Sequence, residues 1–184
     1  VWLDSHEGPE ALAGDIGQDS ARALGREQAR RLWALLPLAT QSLLEAGPDL
    51  WDTFVPLEAH LARARTHERA GEPWLRRLEA LAQERLPPGA GVVGQQRLFE
   101  QYAKFLHSLA RGAPLLLILD DLQWADIGTI GLLYHLSRHL TARRIMILGV
   151  FRPADLATGR AGERHPLLPV VSELRRRFGD IVLD

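Results

Sequence analysis

The chain contains no cysteine in its 184 residues. Disulfide cross-links, thiolate nucleophiles and cysteine-ligated zinc are therefore excluded. Lysine is nearly absent as well: of 22 basic residues, 21 are arginine and one is Lys104. Charge of one sign does not dominate, because 23 acidic residues bring the formal net charge to −1. Residues 1–96 hold 10 basic and 14 acidic side chains and residues 97–184 hold 12 and 9, so neither half argues for a nucleic-acid surface. Long hydrophobic runs are missing too. The longest, Ala113 to Leu119, has seven residues, where a bilayer-crossing helix needs roughly 20. No basic segment followed by an apolar stretch opens the chain, so no secretory signal is expected; position 1 is Val and the only methionine is Met146.

What is present is the composition of a globular domain, 46% hydrophobic and 24% charged. A chain of this length buries about two-thirds of its unfolded surface and needs no cross-link to hold a core. Residues 1–19 are rich in Gly, Asp and Glu and read as loop. Asp19 or Ser20 is expected to cap a helix running through Arg22 to Leu36, with Leu24, Ala29, Leu32, Trp33 and Leu36 on one side, interrupted by Pro37. A continuation from Leu38 to Glu45 stops at Gly47-Pro48, and Pro56 to Arg69 and Trp74 to Leu86 read as two more helices. The run Pro87-Pro88-Gly89-Ala90-Gly91 cannot continue a helix and divides the chain into an all-helical segment, 1–91, and a second segment, 92–184.

In that second segment the pattern changes. Gln95 to Ala110 is helical, with Leu98, Tyr102, Phe105, Leu106 and Leu109 in one stripe. Leu115 to Leu119 is a continuous apolar run between turn signals, the pattern of a strand buried on both faces. A helix from Ile127 to Leu140 leads to a second apolar run, Ile145 to Phe151, and a last helix spans Leu167 to Phe178 before Ile181-Val182-Leu183. Strand, helix and strand at this spacing form a βαβ crossover with the two strands parallel. The expected fold is α/β, a partial parallel sheet preceded by helices. In such sheets ligands sit beyond the carboxyl ends of the strands, so residues at those ends carry the most weight.

Two acids, Asp120 and Asp121, stand where the first apolar run ends. Adjacent carboxylates repel, and the pair calls for a nearby cation or donor. This is the Walker B pattern, in which the first Asp holds Mg²⁺ through water and the second acid orients or deprotonates the attacking water. The competing reading is an acid pair that only ends a strand and caps the next turn. Asp126 is placed to cap the following helix, with Thr129 at its third position. Arg152 ends the neighbouring strand, and a parallel arrangement puts it on the same rim as the acids. There it either senses a γ-phosphate or pairs with Asp120, Asp121 or Asp155.

The stretch PLLLILDDLQWADIGTIGLLYHLSRHL from Pro114, followed by RIMILGVFRPADL from Arg144, resembles the AAA ATPase module of STAND-class signalling ATPases. That origin-recognition-like module occurs in large LuxR-type regulators and in multidomain bacterial cyclases and kinases. The segments from Gln96 to Ala110, from Arg164 to Asp184 and from Glu27 to Leu50 match its flow. The resemblance implies a P-loop-NTPase-type sheet, with Asp120 at the Mg²⁺ position, Asp121 at the water-activating position and Arg152 at the sensor position. It implies ATP and Mg²⁺ as cofactors and a cytoplasmic setting. Fused effector or sensor domains are the implied partners, with room for ATP-dependent self-association of the intact protein.

The departure from the family pattern is the phosphate-binding loop. G-x-x-x-x-G-K-[ST] occurs nowhere in these residues, the single Lys104 sits in Ala103-Lys104-Phe105, and Gly89 to Gly94 follows prolines and lacks lysine. The expected reading is an internal fragment cut at both ends, contributing Walker B and sensor residues but inactive alone. The alternative, of another class, is a non-catalytic interaction module whose acid pair is vestigial. Other constellations carry less. His135 and His139 are one helical turn apart but lack a third metal ligand, and His60 and His67 are expected on a solvated or partly buried face. Arg143-Arg144 and Arg175-Arg176-Arg177 lack interleaved aromatics, so no direct nucleic-acid contact is expected, nor any membrane contact. No serine lies in a G-x-S-x-G turn.

Overall fold

A computed structural model describes residues 26–67, 71–84, 94–139, 144–157 and 164–183. The start of the first expected helix and the Pro87 to Gly91 boundary lie outside them. The chain forms two compact units that divide after Leu109.

The first unit is helical. Helices α1 (Arg26–Ala34) and α2 (Leu36–Ala46) meet at Leu35, so the break falls just before Pro37, which occupies the second position of α2. That is a position where a missing N–H costs nothing. A short 3-10 turn, Pro48–Leu50, leads to Asp52, whose backbone is left-handed at φ 59°. The Asp52 carboxylate accepts a bond from the Leu57 amide at 2.8 Å, capping helix α3 (Leu57–Arg65). Helices α4 (Pro73–Glu84) and α5 (Gln95–Gly112) follow. The core gathers Leu43, Leu50, Trp51, Leu61, Trp74 and Leu78, with the α5 stripe of Leu98, Tyr102 and Phe105 packed on it.

His60 and His67 depart from expectation: both are fully buried rather than on a wetted face. Thr40 donates to the Leu36 carbonyl and so accepts from His60 Nε2 at 2.8 Å, while the Trp51 ring meets the imidazole edge. Burial, and then the positive charge of Arg63, hold His60 down at a pKa of about 4, so it stays neutral. His67 lies between Trp33 and Trp74 and bonds the Trp33 carbonyl at 3.1 Å. Aromatic neighbours from other elements supply the apolar surroundings that helical spacing alone does not reveal.

The second unit is α/β, as expected. Strands β1 (Leu115–Leu119) and β2 (Ile145–Gly149) pair in parallel, with Leu115 opposite Ile145 and Leu119 opposite Gly149. Helix α6 (Ile127–His139) crosses between them, and α7 (Pro153–Ala157) and α8 (Leu167–Phe178) follow. Leu119 and Ile147 point into a cluster with Leu122, Ile130, Leu133, Leu156 and Leu167. The opposite sheet face is bare: Leu116 is 57% exposed, Ile118 61% and Met146 63%. The expectation of burial on both faces therefore fails for this unit, because side chains alternate along a strand and the cluster takes only one set. No helix among the described residues is long and apolar enough to cross a membrane.

Candidate functional site

The site lies at the carboxyl ends of β1 and β2. Leu122 N–H donates to the Val150 carbonyl and Val150 N–H to the Leu119 carbonyl, so the two segments stay in register beyond the strands proper. Between these bonds the chain must turn out of the sheet into a 3-10 turn, Leu122–Trp124. Asp121 makes that turn with a left-handed backbone, φ 54° and ψ 40°. Aspartate tolerates this region better than most residues, yet it still carries strain, and strained residues cluster at functional sites. Gly149 allows the turn to seat: a Cβ there would lie 2.7 Å from Leu122 Cδ1.

The three residues singled out from the sequence come to one rim. Asp120 and Asp121 are both exposed, and an Asp120 carboxylate oxygen accepts the Asp121 amide at 2.9 Å. Arg152 Nη2 stands 4.0 Å from Asp121 Oδ1. Both side chains are more than half exposed, so in water this pair adds little stability, and its placement is the informative feature. Asp126 accepts the Thr129 amide and its hydroxyl, each at 2.9 Å. It therefore caps α6, and those bonds hold its carboxyl below the usual range. Trp124, 66% exposed, stands on the same turn.

Gln123 and His165 were not singled out by sequence reasoning. Buried Gln123 donates from Nε2 to Asp121 Oδ1 at 2.8 Å and accepts the Arg152 amide on Oε1 at 3.1 Å. Its carbonyl accepts His165 Nε2 at 2.9 Å. The available signal was a glutamine between an acid and a helix cap, which has no chemistry of its own to announce it.

Two hard oxygen donors at an exposed strand end suit Mg²⁺, which is held by one or two carboxylates together with ligand phosphates and water. Among the described residues no three His, Cys, Asp or Glu side chains form a closed metal cage. Coordination shared with a phosphate ligand is what this donor set fits. His135 and His139 stack at 4.0 Å, and among the described residues no third ligating side chain makes them a metal site.

No curated protein and no solved structure matches the chain. The family profile described as AAA ATPase domain matches residues 12–148, a stretch that includes both acids and ends before Arg152. With the match covering most of its length, the chain belongs to the AAA ATPase domain family.

Proposed function

We propose that the chain supplies the Walker B and sensor residues of a STAND-class regulatory ATPase. In this reading residues 1–91 are the helical segment of the module and residues 92–184 its partial nucleotide-binding core. The family uses ATP with Mg²⁺ in general. The observation that carries the finer reading is the meeting of Asp120, Asp121 and Arg152 on one rim of a parallel pair, with Arg152 Nη2 4.0 Å from Asp121 Oδ1. Asp120 would hold the cation through water, and Asp121 would take or orient the proton of the attacking water. Arg152, tethered by its backbone rather than by a tight ion pair, would swing its guanidinium to the γ-phosphate. The bound cation would neutralise charge on the phosphate oxygens. Aspartate at the second acidic position is shorter than glutamate, which suits a slow switch, with output through fused domains, ATP-dependent self-association and a cytoplasmic setting.

These residues contain no GK[ST] turn, so purified 1–184 is expected to release no phosphate from ATP. Mg²⁺-dependent release that disappears in Asp121→Asn would contradict this. In a protein that joins the chain to a phosphate-binding loop, Asp121→Asn is expected to lower kcat by roughly a hundredfold with nucleotide still bound. Unchanged turnover there defeats the assignment. A second reading, a non-catalytic interaction module, is favoured by the bare apolar face of Leu116, Ile118 and Met146. Failure of the joined protein to bind nucleotide selects it.

A further inference from the structure

We propose that Gln123 and His165 are positioning residues that tie the Asp121–Arg152 pair to the start of α8, an inference that rests on the nucleotide-facing reading of that pair. The hydrogen-bond chain has only one consistent sense. A carboxylate only accepts and a backbone N–H only donates, so Gln123 must present Nε2 to Asp121 and Oε1 to the Arg152 amide. The same logic fixes His165. The Gln123 carbonyl accepts, so Nε2 carries the proton, and the Leu167 amide donates to Nδ1 at 3.2 Å, so Nδ1 is bare. One neutral tautomer satisfies both ends.

Gln123 is 5% exposed and so has little water with which to replace lost partners. At the far end, Leu167 is the one fully buried residue of α8, and it joins the cluster that holds Leu122. The bonds of His165 thus meet the helix at its anchoring point. A change at Asp121 or at the Arg152 strand end must disturb Gln123, and through its carbonyl the seat of α8.

Amide hydrogen exchange on the full chain tests this. His165→Ala is expected to speed exchange of the Arg152 amide roughly tenfold, although His165 does not touch it, and His165→Gln, which keeps a donor near Nε2, is expected to restore most of the protection. If only the Leu167 amide responds, His165 merely caps α8 and the proposal fails. Should His165→Ala not fold, Gln123→Ala read at the Leu167 amide replaces it, with acceleration expected and an unchanged rate overturning the coupling. Nitrogen NMR of the unaltered chain must find His165 protonated on Nε2; the Nδ1–H tautomer also overturns it. Mn²⁺ with ATP, added to the protein that joins the chain to a phosphate-binding loop, separates the two claims. Broadening of the Asp120 and Asp121 amides there supports the nucleotide-facing reading, and its absence with the exchange coupling intact defeats that reading while the relay stands.

Discussion

Asp121 combines two demands that conflict: a carboxylate at the strand end and a left-handed backbone at φ 54°. Glycine would relieve the strain and lose the carboxylate, while alanine would lose the carboxylate and keep the strain. Asp121→Ala is therefore expected to be less stable than Asp121→Gly by about 1 kcal/mol, read as the difference between their urea midpoints. Equal midpoints would show that the turn relaxes freely. His60 offers a second residue-level test. Its folded pKa, about 4, lies below the ordinary 6.5, so the unfolded chain binds the extra proton between those values. Its contribution is fully present above pH 6.5 and is lost as pH falls toward 4, by about 3 kcal/mol across the window. Comparing urea unfolding of the unaltered chain with His60→Gln at pH 7 and 4.5 isolates this from carboxylate titration; parallel curves would refute it.

At the scale of elements, α6 is held at its first turn and along one face. Asp126 satisfies its first turn, and Ile130 and Leu133 bury its inner face. Asp126→Ala is expected to speed exchange of the Thr129 amide and lower the melting temperature, while leaving the strands paired; an unprotected Thr129 amide in the unaltered chain would contradict the cap. Ile130→Ala is expected to cost about 2–4 kcal/mol in denaturant unfolding, because Ile130 is 2% exposed and a cavity beside Leu122 cannot close without moving the Asp121 turn. The elements themselves were legible in the sequence. Leu167–Phe178 appears as expected, and the helix ends that fall within the described residues lie within a few residues of the expected ones. The five-residue α7 has no counterpart among the expected elements, because so short a helix carries no apolar period of its own, with Pro153 opening it at a position where proline is tolerated.

The whole chain joins a helical unit with a well-filled core to an α/β unit that is covered on one side. A parallel sheet with Leu116, Ile118 and Met146 facing water is expected to bind a hydrophobic dye, and Leu116→Thr with Ile118→Thr is expected to abolish most of the signal without lowering stability. Dye fluorescence before and after the double change decides it, and undiminished binding would place the apolar surface elsewhere. By itself the sequence determined the helical first half, the parallel pair and the placing of Asp120, Asp121 and Arg152 at strand ends, because period and punctuation are local properties of the chain. Which carboxylate meets the guanidinium, the left-handed turn that aims it, the Gln123 and His165 bonds and the burial of His60 and His67 were decided only by tertiary structure. Each depends on groups from 20 to 42 residues away, or on a backbone angle that no side-chain pattern encodes.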